Sequence, residues 1–150
     1  MKKILLAFLL LASLESFSQT CEEKETKLLQ AVGGFSSALL YNTYGLIGSI
    51  ADAYAKDVYT AEMVHNLMSA QKKMTGNLVV MLNNLVKDSV LRQPDKDYAM
   101  AVTALLNSLQ EEAGFLQEYA DSNSGKKRKA YEDLHRKNWS AISRLMGIKE

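Results

Sequence analysis

Proline occurs once in this chain, at position 94, and the apolar residues on either side of it recur every three or four positions. That spacing places them on one face of an α-helix, whose repeat is about 3.6 residues. Alternation of the kind a half-buried strand needs is absent. No Asn-Gly or Asp-Gly pair marks a hairpin either. The fold class that follows is all-α.

Four helical segments are expected. Helix A spans about Glu22 to Ala55, with a stripe of Leu28, Val32, Phe35, Leu39, Leu46, Ile50 and Ala53, and Asn42 in the seam. Helix B runs from about Ala61, with Thr60 as N-cap, to Leu91. Its stripe is Val64, Leu67, Met74, Leu78, Met81 and Leu85, flanked by Leu82 and Val86. Helix C follows Pro94, with Asp95 or Asp97 as cap, and carries Tyr98, Val102, Leu105, Leu109, Ala113, Leu116 and Ala120. The turn chemistry of Asp121-Ser-Asn-Ser-Gly125 separates it from helix D, which presents Tyr131, Leu134, Asn138, Ile142 and Leu145 and ends near Gly147. Short connections force neighbours antiparallel, so the expected architecture is an up-down-up-down four-helix bundle. The joint between A and B, Lys56-Asp57-Val58-Tyr59, has neither glycine nor proline. A single bent helix is the alternative there.

The bundle is expected to begin after a cleaved leader. Met1-Lys2-Lys3 is a basic start, an apolar run from Ile4 to Leu14 follows, and Ser16-Phe17-Ser18 offers small residues at the cleavage positions. Residues 1–18 therefore read as a secretory signal peptide, and residues 19–150 as one helical-bundle domain. The expected destination is export, periplasmic or extracellular, in a bacterial-type setting. Lipidation at Cys21 is disfavoured because Ser18 stands where a lipobox carries a large aliphatic residue. A single cysteine excludes an internal disulfide framework.

Once residues 1–18 are set aside, basic and acidic groups balance, which argues against nucleic-acid binding. The charge is uneven, however: residues 22–121 hold 8 basic and 13 acidic groups, and residues 126–150 hold 8 and 3. Lys126, Lys127, Arg128 and Lys129 open helix D, where the helix dipole disfavours cations. They are candidates for an anion site, against the plainer reading of a solvated loop and helix end.

Residues 28–51 contain no charge at all. Asn42, Gln30, hydroxyls and two tyrosines at mid-depth favour a bundle helix over a membrane span, so stable insertion is not expected. On a helical wheel Gly34, Ser37, Tyr41, Gly45 and Gly48 gather away from the aliphatic stripe, where a surface helix normally shows Lys and Glu. Two explanations stand at equal weight. Either this face is an interface, for a homodimer or for another protein, or helix A is packed on nearly all sides.

The motifs with chemical potential are Glu62-Met-Val-His65 and Glu132-Asp-Leu-His135. Their Glu-x-x-His spacing resembles the motif by which ferritin-like proteins hold two metal ions in a bundle. The resemblance implies further carboxylates from the other helices: Asp52 on A, and Glu112 or Glu118 on C. On the wheel, however, Glu62 shares a face with Asn66, Ser69 and Lys73, which points to solvent. A metal or small-ligand site, if present, is expected at one end of the bundle around Asp52, Glu118, Glu132 and His135. No cofactor is expected. No nucleophile motif and no Gly-rich phosphate loop occurs, so an enzyme is not expected. The leading expectation is an exported module acting by contact, self-association through helix A included.

Overall fold

The computed structural model describes the backbone of residues 2–88 and 91–148, and the side chains of 23–88 and 91–148. The expected leader and Cys21 lie outside the described side chains. Among the described residues there are four helices: α1 (Lys2–Ala55), α2 (Ala61–Lys87), α3 (Gln93–Ser122) and α4 (Gly125–Met146). Among the described residues there is no strand, and no helix is long and apolar enough to cross a membrane. Two compact units form, residues 1–35 and 36–150. In the second, the later part of α1 and all of α2, α3 and α4 pack against one another.

Local chemistry explains the helix ends. α1 and α2 are separate helices, because Asp57 adopts a left-handed backbone at φ 55°. The amides of Val58 and Tyr59 then both donate to Ala53 O. Asp is one of the few residues that visits this conformation without glycine. Thr60 caps α2 as expected, its hydroxyl accepting from the Met63 amide at 3.2 Å. α3 begins earlier than expected: Arg92, not Asp95 or Asp97, is its N-cap, and Pro94 sits inside the first turn. A proline there loses nothing, since the first amides of a helix have no partner within it. α4 stops at Gly147 (φ 68°), whose amide donates to the Arg144 and Ser143 carbonyls.

The core is built from Leu40, Ile47 and Ile50 of α1, Val64 and Met68 of α2, Val102, Leu106, Leu109, Ala113 and Leu116 of α3, and Tyr131 and Ile142 of α4. For α3 and α4 this follows the expected stripes. For α1 and α2 it does so only in part: Ile50 and Val64 are inside as expected, and most of the rest of each stripe is not. Leu28 (65% exposed), Phe35 (76%) and Leu46 (45%) lie open, and Asn42 is exposed rather than in the core. In α2 only Val64, Met68, Gln71 and Thr75 are buried. Leu67, Met74, Met81 and Leu85, expected inside, are exposed together with Met63.

The inward turn of polar residues is made cheap by hydrogen bonds. Gln71 Nε2 donates to Thr43 Oγ1 at 3.1 Å, and Thr75 Oγ1 donates back to Gln71 O at 2.9 Å. Buried groups satisfied in this way escape most of the desolvation cost.

Candidate functional site

α3 and α4 meet at a polar knot inside the apolar core. Ser108 and Glu112 lie one turn apart on α3. Tyr131, His135 and Asn138 follow at spacings of four and three on α4 and share its inward face. Glu112 is fully buried. One of its carboxylate oxygens lies 2.7 Å from His135 Nδ1, and the other accepts from Asn138 Nδ2 at 2.6 Å. Asn138 is in turn fixed by Ser108, whose hydroxyl donates to Asn138 Oδ1 at 2.6 Å. A carboxylate only accepts hydrogen bonds, so the ionised form of Glu112 takes its hydrogen bond from a proton on His135 Nδ1.

Aromatic rings wall this pair in. Tyr44 of α1 stacks on His135 at 4.1 Å between centroids, with planes 8° apart. Tyr131 lies against His135 at 5.5 Å, and Trp139 against Tyr44 at 5.4 Å. Gly48 provides the clearance on the α1 side, since a Cβ there would come within 3.1 Å of His135 Cε1. Burial pushes the Tyr44 and Tyr131 phenols above their ordinary range, and the nearby Glu112 charge pushes them further in the same direction.

Three of the expected metal-site residues come together. Asp52, Glu132 and His135 line a hollow of about 200 Å³, with Gly48, Tyr119, Arg128 and Tyr131. Glu118 does not join them, because it pairs with Lys127. Glu132 is held by Arg128 Nε at 2.7 Å, which places a cation inside the hollow. Among the described residues, no three His, Cys, Asp or Glu side chains are arranged to hold a metal ion. The second motif is on the surface: His65 lies 3.7 Å from Asp121, and Glu62 is exposed. In the sequence Glu112 is one of two carboxylates that α3 offers for such a site, the other being Glu118. Its flanks, Ala113 and Leu109 at the core and Glu111 in solvent, mark its inward position.

The expected interface set divides. Tyr41 is half exposed, and Gly45 has open space where a side chain would be. With Asn42, Tyr44, Leu46, Ser49 and Trp139 they line an uncharged hollow of about 420 Å³. Gly48 instead faces His135. Ser37 is half-buried and Gly34 is open, the latter belonging to the 1–35 unit. The basic cluster divides as well: Lys127 pairs with Glu118 and Arg128 with Glu132, while Lys126 and Lys129 are exposed.

No family model, no curated protein and no solved structure matches this chain.

Proposed function

We propose that this chain is an exported four-helix module that acts by contact with other protein surfaces, and that the outward face of α1 is one contact surface. Residues 1–18 supply the export signal and are removed. The helices alternate in direction. Thr43 with Gln71, His65 with Gln117, and Ser108 with Asn138 are pairings that antiparallel neighbours would make.

The observation that carries the contact reading is the hollow along α1. Tyr41, Asn42, Gly45, Leu46, Ser49 and Trp139 face outward there without one charge. Rigid aromatic side chains beside small residues are the composition of contact sites. Solvated helix faces carry Lys and Glu instead. The occupant of this hollow is a partner protein, and a homodimer through the same face is the other form of the reading.

Gly45→Leu tests it. A Cβ at Gly45 would meet nothing within 4 Å, and Gly45 borders a hollow of about 420 Å³ into which a leucine side chain can extend. The hollow between Tyr41 and Trp139 would be filled. The expected result is unchanged helicity by circular dichroism and loss of a cross-linkable complex in the exporting cell. An unchanged complex would remove α1 from the contact.

A further inference from the structure

Gly48, Ala51, Asp52 and Ala55 share one face of α1, at spacings of three and four. Three of the four are small, and the wall they form leaves a hollow of about 200 Å³ beside α4. The fourth, Asp52, brings a carboxylate to it. Asp52 is exposed, and its side chain has no hydrogen bond or ion pair among the described residues. The other charges at the hollow are matched. Arg128 faces Glu132 at 2.7 Å, and His135 faces Glu112 at 2.7 Å. What remains over is the negative charge of Asp52.

Two phenols line the same space. Tyr119 and Tyr131 border the hollow while only 7% and 6% exposed. Neither hydroxyl has a hydrogen-bond partner among the described residues. Neither oxygen is sealed off either, since Ser143 Oγ alone among the described side-chain atoms is both fully buried and unpartnered. The two oxygens therefore open onto the space that their residues line. Asp52 and Glu132 stand near the Tyr131 oxygen: after burial and the Glu112 charge, theirs push its phenol further above the ordinary range. Hydroxyls of buried residues are normally paired, because leaving them unpaired costs free energy. Two such hydroxyls beside an unpaired carboxylate form a set of acceptors that lacks a donor.

Charge and number identify the donor. An anion would be repelled by Asp52. A metal ion needs three or more strong ligands, and Glu132 and His135 are each turned to a partner. Among the described residues no group of three His, Cys, Asp or Glu could hold one. A primary ammonium carries one positive charge and three N–H donors, as a lysine side chain does. One carboxylate and two hydroxyl oxygens answer both. Size sets the rest. At about 30 Å³ for each water-sized unit, the hollow takes roughly seven non-hydrogen atoms. The apolar part of such a molecule would lie against Gly48, Ala51 and Ala55.

We infer that this hollow binds a small aliphatic primary amine in its ammonium form, with Asp52 as counter-ion and the Tyr119 and Tyr131 hydroxyls as acceptors. The site goes beyond the contact reading and shares no residue with the hollow of Tyr41 and Trp139, so either can fail alone.

The test is a titration of the full chain, as recovered from expressing cells, with n-butylammonium chloride at neutral pH and constant chloride, followed by amide chemical shifts. Saturable shifts are expected at Gly48, Ala51 and Tyr131, with a Kd of about 1 mM. Asp52→Asn, at an exposed position, should keep its helicity and bind about 10-fold or more weakly. Asp133→Asn removes an exposed acid outside the hollow and should bind as before. Tyr131→Phe keeps the ring, loses the hydroxyl, and should weaken binding about 3- to 10-fold. Tetramethylammonium has the charge without an N–H and should bind about 10-fold more weakly.

The absence of saturable shifts up to about 50 mM overturns the inference. So does binding that survives Asp52→Asn, or that falls equally with Asp133→Asn, which would mark bulk charge. Equal binding of tetramethylammonium, or butyrate shifting the same amides in place of butylammonium, also overturns it. Broadening of those amides by equimolar manganese(II), relieved by Asp52→Asn, would assign the hollow to a metal ion instead.

Discussion

Replacing His135 by phenylalanine isolates one interaction. The ring stays between Tyr44 and Tyr131, and only the Nδ1 hydrogen bond to Glu112 is lost. Glu112 would then be a fully buried carboxylate with Asn138 as its remaining partner. Breaking a buried charged pair from one side costs about 3–5 kcal/mol, against about 1.5–3 kcal/mol for a hydrogen bond to a charged group near water. His135 keeps about a quarter of its side chain exposed, so water can partly replace it. We therefore expect about 3 kcal/mol. With a urea dependence of about 2 kcal/mol per molar, the unfolding midpoint drops by about 1.5 M. Adding Glu112→Leu should recover part of that loss, because the acceptor that needs the ring is then gone. A double-mutant cycle should show coupling of about 2 kcal/mol. The assay is urea unfolding followed by circular dichroism at pH 7. A loss under about 1 kcal/mol for His135→Phe would refute the reasoning, and so would additive single-site losses.

Two further outcomes are expected of the folded chain. Gly45→Ala should stabilise by up to about 1 kcal/mol through helix propensity, since nothing obstructs the methyl group. Gly48→Ala should destabilise despite the same propensity gain, because its Cβ would press within 3.1 Å of His135; thermal unfolding of the two variants should show opposite signs. Stability should also fall in alkali. The Tyr131 phenol is raised above its ordinary 10.0 by burial, so above about pH 10 the unfolded chain sheds a proton that the folded chain keeps. Its contribution is complete below that pH and declines by about 1.4 kcal/mol per unit above it. Tyr131→Phe should flatten the decline by that amount in denaturant titrations between pH 9 and 11.

Helix number, the Thr60 cap and the Gly147 stop were legible because each depends on residues a few positions apart. The inward faces of α3 and α4 were legible for the same reason, each having one apolar stripe. α1 and α2 each offer two faces, and periodicity does not say which one turns inward. In α2 the more apolar line lost to Val64, Met68, Gln71 and Thr75, whose polar members find partners at Thr43 and along their own helix. Those partners lie on another helix or depend on burial, which a single sequence does not display. The same holds for the candidate site. His135 was visible through its spacing from Glu132. Both Glu112 and Glu118 reach α4: Glu112 is buried beside His135, and Glu118 is exposed beside Lys127 in the first turn, a difference of depth that the sequence does not display.

The aromatic wall around His135 has a consequence for the order of assembly. Tyr44 and Trp139 come from distant parts of the chain, whereas α1 with α2, α2 with α3 and α3 with α4 are each joined by a short link. Closing a long loop costs more entropy than closing a short one, and contacts near in sequence form sooner. Contacts between consecutive helices should therefore form early, and the contact of α1 with α4 last. In the reverse direction it is the first to let go. On heating, the environment of Trp139 should then change before helicity is lost, so that the ring stack acts as the latch of the fold.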